Sequence, residues 1–243
     1  MINIRILPII FCVFLFGCAS QGAKHNNNSQ KNTKPSNAGY LLLFSEKRPN
    51  ETEHSVRMMI TDDYLRIDEG PQSQDYELFD RHNKSITEVT GETESIHYVN
   101  PTDQHVRPTF PVRWVIESQT SQALMRTQQN NQASATHYLF YLNDEPCYNL
   151  VTIDNHLTET LDALREYNRV IANDLKSNYQ MSENRHCSDA INIFDPNVRL
   201  QYGFPLREWG QYGYQRFLVD FQKDVIFPES LFKSPKRHED IGF

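Results

Sequence analysis

No catalytic signature runs through this chain. It has no Gly-x-Ser-x-Gly, no Walker loop, no Gly-x-Gly-x-x-Gly and no His-Glu-x-x-His. The nucleophile elbow, the phosphate-cradling loop, the dinucleotide fingerprint and the zincin helix are therefore all missing. The nine histidines are scattered, and none stands at metal-ligand spacing from a cysteine or a second histidine, so no metal or cofactor is expected. There is no Lys/Arg cluster. Basic residues number 24 against 31 acidic ones, for a net charge of -7, and a chain this acidic is poorly suited to bind nucleic acid through phosphates. The acidic pairs Asp62-Asp63 and Asp68-Glu69 are turn and strand neighbours. Strand neighbours point to opposite faces, so these pairs read as solvated residues, and Arg66 with Asp68 reads as a surface ion pair worth little. An enzyme is not expected.

A long apolar run is also missing. Arg5 is the one charge in residues 1–17, and the apolar stretch Ile6–Phe16 is eleven residues, well short of the roughly 20 that a spanning helix needs. A basic start and a short apolar stretch make a signal peptide. The stretch ends Leu15-Phe16-Gly17-Cys18, which resembles the lipobox of bacterial lipoproteins. The resemblance implies cleavage before Cys18, a diacylglycerol on its sulfur and an acyl chain on its amine. Two or more chains hold a protein stably on a membrane where one does not. The alternative is an ordinary signal peptide with an incidental cysteine. Ala19 follows Cys18. In Gram-negative lipoproteins an Asp there commonly retains the protein in the inner membrane, so the resemblance implies the outer membrane, with the domain facing the periplasm. Residues 19–38 contain no large apolar side chain and five Asn. Such a segment cannot offset its chain entropy by burial and reads as a tether spanning on the order of 25 Å. The expected organisation is a signal peptide over 1–17, lipidated Cys18 with a tether to residue 39, and a single β-rich domain over 40–243.

The domain holds two cysteines, Cys147 and Cys187. An exported pair of this kind favours a disulfide. The competing reading is a reactive thiol at Cys187, beside His186. Fourteen Phe and twelve Tyr tilt the chain toward strands. Two-residue alternation predicts strands over 40–46, 54–60, 64–69, 75–81, 84–90, 94–99, 112–118, 136–143 and 147–153, with polar turns between. Residues 119–135 read as a loop or weak helix. From Leu157, the spacing of Leu161, Leu164, Tyr167, Ile171 and Leu175 places one apolar face on a helix, capped by Asp154 or Asn155. A short helix is expected over 187–193, then strands over 198–209 and 212–222. In the last of these Phe217, Val219 and Phe221 alternate against Arg216, Leu218 and Asp220. Such a sheet is expected to bury one face and wet the other. Trp114 and Trp209 suit either the core or a ligand platform.

The fold class expected is α+β, a curved antiparallel sheet packed on an amphipathic helix. Two pieces of sequence resemble envelope half-barrels of the LolA/LolB type. One is Tyr64-Leu65-Arg66-Ile67-Asp68 followed by Leu78-Phe79-Asp80-Arg81 and Ile86. The other is Gly203-Phe204-Pro205-Leu206 followed by Pro228-Glu229-Ser230-Leu231-Phe232 and Pro235. The resemblance covers residues 40–235. Lys236-Arg237-His238 stand where the type usually closes on Gly-Tyr. The sheet-plus-helix pattern and the rich Phe and Tyr content point to a concave face open to an apolar or lipid ligand, while the carrier activity of the resembled type does not transfer with its fold. Two roles follow as expectations: a binding module holding an acyl-like ligand, or an interaction lipoprotein with a filled core and an envelope protein partner.

Overall fold

The computed structural model describes residues 35–91, 95–99, 106–121, 135–153, 155–180 and 186–235. Two antiparallel meanders make up the sheet. The first comprises β1 (Ala38–Lys47), β2 (His54–Ile60), β3 (Tyr64–Asp68), β4 (Tyr76–Asp80), β5 (Ser85–Thr90) and β6 (Ser95–Val99). The second comprises β7 (Trp114–Ser121), β8 (Ala135–Leu142), β9 (Glu145–Ile153), β10 (Phe204–Gly210) and β11 (Gln215–Ile226). The last strand returns to pair with the first, so the order is β6-β5-β4-β3-β2-β1-β11-β10-β9-β8-β7. The result is one curved, unclosed sheet of eleven strands. Its turns follow their residues. Asn143 and Asp144 both take positive φ, 53° and 71°, the two-residue hairpin for which Asn and Asp are suited. Gly39 sits at an irregularity where β1 meets β11, and a Cβ there would collide with the Ile60 carbonyl.

Helix α1 (Thr158–Ser177) leaves β9 and crosses the inner face over β3, β5, β6 and β10. Leu42, Ile60, Leu65, Phe79, Ile86 and Phe204 from the sheet bury against Leu157, Leu161 and Val170. The predicted helix face holds through Leu161, Leu164, Tyr167 and Ile171. It fails at Leu175, which is exposed beyond the sheet. The expected cap is corrected. Asp154 lies outside the described residues, and Asn155 does not cap. The N-cap residue is Leu157, held at φ 51° by its own burial, with the Thr160 hydroxyl donating to its carbonyl at 2.7 Å.

The second meander has its own inner core, built of Phe140, Tyr148 and Leu150 against Ala190, Ile191 and Val198. The segment covering it starts as a short helix, α2 (His186–Asp189), and widens into a π-helical turn over Ala190–Phe194. Cys147 on β9 is disulfide-bonded to Cys187 on α2, with Cα atoms 5.5 Å apart. The expected strand from 198 begins only at Phe204. Residues Arg199–Tyr202 form a 3-10 turn because Leu200 tucks into the first core.

The expectation of one wet face is corrected over the first meander. Residues 227–235 fold back onto the outer face, where Phe227 and Phe232 bury with Met59 and Leu78. This cover changes the Arg66–Asp68 pair from a surface contact to a buried one. Asp68 is fully buried. It accepts from Arg57 through both guanidinium contacts, at 2.8 and 2.9 Å, and from Arg66 at 2.9 Å. Arg66 also donates to the Leu231 carbonyl at 2.9 Å and lies 3.8 Å over the Tyr76 ring.

Candidate functional site: the cavity beneath helix α1

Helix and sheet do not close on one another everywhere. A cavity of about 550 Å³ lies between the inner face and the later turns of α1. Alternate residues of β1 and β2 supply its apolar floor, with Phe44, Val56 and Met58 pointing inward. Leu164, Tyr167 and Ile171 form the roof, because three- and four-residue spacing keeps them on one helical stripe. A volume near 550 Å³ is within the range of small-ligand sites.

The two ends of the cavity differ in charge: one mixes arginines with carboxylates, the other is acidic. Toward β10 and β11 stand Arg199, Glu208, Arg216 and Glu46. Tyr148 donates to the Glu208 carboxylate at 2.6 Å, and Arg199 reaches the Tyr148 hydroxyl at 3.0 Å and Glu208 at 3.3 Å. Burial opposes the charge on Arg199, but Glu208 and its tyrosine neighbours outweigh burial and leave the pKa raised. Burial and then Glu208 push the Tyr148 hydroxyl well up, and the same two causes push Tyr214 up to about 12. Arg199 therefore stays charged, and Tyr148 and Tyr214 stay neutral, near neutral pH.

Arg216 is held differently. Its guanidinium lies 4.0 Å over the Phe44 ring, with one nitrogen 3.2 Å from the Met58 sulfur. Its Nε is 3.8 Å from Glu46, too far for a hydrogen bond, while Glu46 accepts from Arg48 at 3.0 Å. The Nε of Arg216 is buried without a hydrogen-bond partner, as is that of Arg199.

The opposite end is acidic. Glu77 on β4 and Glu88 on β5 are direct cross-strand neighbours, and both line the cavity with Glu69 and Asp75. Tyr167 donates to Glu77. Burial, and then Glu77, raise the pKa of Glu88, as expected for like charges placed opposite one another. Burial and the same Glu77 push Tyr167 well up.

The domain has two further hollows among the described residues. One, of about 370 Å³, runs beneath the Cys147–Cys187 bridge and shares Arg48, Arg199 and Tyr214 with the main cavity. The other, of about 570 Å³, opens where β10 and β11 part. Those strands pair only from Arg207↔Phe217 to Trp209↔Gln215, and Leu206, Leu218 and Phe221 line the gap beyond.

Of the residues singled out in the sequence, the structure brings Cys147 and Cys187 together, and Cys18 lies outside the described residues. Trp114 packs edge-on to Phe140 in the second core. Trp209 stacks on His137 on the outer face, at 5.1 Å between ring centroids. Asp62 and Asp63 sit at the β2–β3 turn, where Asp63 accepts from exposed His82 at 2.8 Å. Among the described residues no group of His, Cys, Asp or Glu is arranged to hold a metal, and no helix is long and apolar enough to cross a membrane. Sequence reasoning missed the whole charged system of the cavity. Its one available signal was Arg216, which shares a strand face with Leu218.

No family model matches the chain, and no curated protein matches it. Among solved structures, one of PNGF-II is 8% identical with a TM-score of 0.40, over 82% of this chain and 30% of that one. This chain therefore spans under a third of that protein's length, and a likeness so distant carries no functional argument.

Proposed function

We propose that this protein is a lipid-anchored envelope lipoprotein whose domain holds an amphiphilic ligand in the cavity beneath α1. The observation that carries the reading is the cavity itself. Phe44, Val56, Met58, Leu164 and Ile171 offer an apolar body, and charged side chains stand at both ends. A filled structural core gains nothing from such a hollow, since empty space between packed elements costs stability. The anchor is the acylated Cys18, as the Leu15–Cys18 pattern implies, and Ala19 after it implies the periplasmic face of the outer membrane. The Cys147–Cys187 bridge supports export, because disulfides persist in oxidising compartments. The architecture is proposed to be of the LolA/LolB type, and the eleven-stranded unclosed sheet with a helix on one face supports that reading.

A second reading, an interaction lipoprotein with an envelope protein partner, draws on the outer face of β11. Phe217 and Val219 there are 40% and 61% exposed, and exposed apolar groups on a strand favour contact with another surface.

One experiment addresses anchor, ligand and partner. The protein is extracted from its own envelope and weighed by mass spectrometry, first denatured and then native. Under denaturing conditions the mass of a chain starting at Cys18 with three acyl chains is expected. Under native conditions an additional adduct of a few hundred daltons is expected, lost on denaturation. An unmodified mass refutes the anchor. A bare native domain refutes the ligand, and a stoichiometric protein adduct in its place favours the second reading.

A further inference from the structure

We infer that Arg216 anchors an oxyanion, a carboxylate or a phosphate, at one end of the ligand in the cavity beneath α1. The inference rests on the amphiphile reading and names the chemistry of its polar end. A guanidinium carries five N–H donors in a planar fork. The side chain of Arg216 is only 15% exposed, yet among the described residues no oxygen accepts a hydrogen bond from it. Its contacts are a ring face, a thioether sulfur and a carboxylate at 3.8 Å. Buried donors are nearly always satisfied, and an arginine fork matches carboxylate and phosphate geometry better than any other partner.

The neighbours of Arg216 do not fill this role. Glu46 is taken by Arg48, and Glu208 by Arg199 and Tyr148. Stacking on Phe44 holds the guanidinium against the cavity wall, so its fork is oriented before a ligand arrives. Met58, beside it, begins the apolar floor on which a chain attached to the anion would lie. The far end settles the direction of binding. Glu77 and Glu88 repel an anion there, so a ligand with one acidic group enters with that group toward Arg216.

The test uses three probes of one chain length, dodecanol, dodecanoate and dodecyl phosphate, titrated calorimetrically into the full domain. The wild type is expected to bind at least one of the two anions about tenfold or more tighter than the alcohol, from charge-assisted hydrogen bonds. The stronger anion identifies the headgroup chemistry. In Arg216→Met the advantage is expected to vanish while dodecanol binding stays. In Arg216→Lys, which keeps the charge and loses the fork, part of the advantage is expected to remain. Equal binding of alcohol and anions by the wild type, or equal loss of all three in Arg216→Met with Arg216→Lys unaffected, overturns the anchor and leaves the amphiphile reading standing. Failure of all three probes to bind overturns both.

Discussion

Replacing Cys147 and Cys187 together by serine is expected to destabilise the domain by about 4 kcal/mol, the chain-entropy value for a closed loop of this length. The two residues are 40 apart in sequence. For a domain of this size that loss corresponds to a fall in melting temperature of about 10 °C. The effect has a local component. The bridge pins α2 and the π-helical turn onto β9, and through Ile191 it closes the second core. Thermal unfolding of the double variant against wild type measures the loss, and unchanged melting contradicts it. Hydrogen exchange is expected to show the first protection lost over 186–194, because the bridge is that segment's covalent tie to β9.

Asp68→Ala is expected to cost about 3–5 kcal/mol, because it leaves Arg57 and Arg66 buried without their shared carboxylate. Asp68 is fully buried, and both arginines are largely so. The contrast is Arg113–Asp144, exposed by 61% and 70%, where Arg113→Ala is expected to change stability by about 1 kcal/mol or less. Urea unfolding of the two variants separates them. Similar small losses in both would mean that the Arg57–Asp68–Arg66 group behaves as a surface pair, and that the cover provided by Phe227 and Phe232 is absent in solution.

The same group marks where sequence reading stops. Tyr64–Asp68 is legible as a strand because Leu65 and Ile67 alternate with polar residues. Alternation reports which residues share a face, not what later covers that face. The cover comes from residues 227–235, more than 150 positions on, so no local pattern announces it. The strand Gln215–Ile226 shows the complementary failure. Phe217, Val219 and Phe221 read as its inner face, yet Phe217 and Val219 are outside, while Arg216 and Leu218 point inward. A register irregularity where Leu43 and Phe44 meet Asp220 and Leu218 shifts the alternation, so Phe221 turns in with Leu218. An inward arginine breaks a hydrophobicity pattern, and a functional cavity is where such a break is expected.

Elements with a strong local pattern were legible: β2 at His54–Ile60, the turn between the strands over 136–143 and 147–153, and the stripe from Leu161 to Ile171. The bridge was legible from cysteine arithmetic alone. The cavity was not, because it depends on how far α1 stands from the sheet. That distance is set by side chains from strands β1 to β5, β10 and β11, far apart in sequence. Glu77 and Glu88 illustrate this. Each looks like an ordinary outward strand residue beside Leu78 or Val89, and only the pairing of β4 with β5 brings both beneath the helix.

If the apolar body of the proposed ligand lies in the hollow beneath α1, filling that hollow weakens binding. Leu164 stands on its roof, over Phe44 and Met58, and a larger ring at that position fills the hollow without adding charge. The decisive measurement is the affinity of wild type and Leu164→Trp for dodecanol, which lacks the charge that Arg216 would read. One-to-one binding by the wild type and a loss of about tenfold or more in Leu164→Trp, with folding unchanged by circular dichroism, is the predicted result. Equal affinity in the two proteins would place the ligand somewhere other than beneath α1.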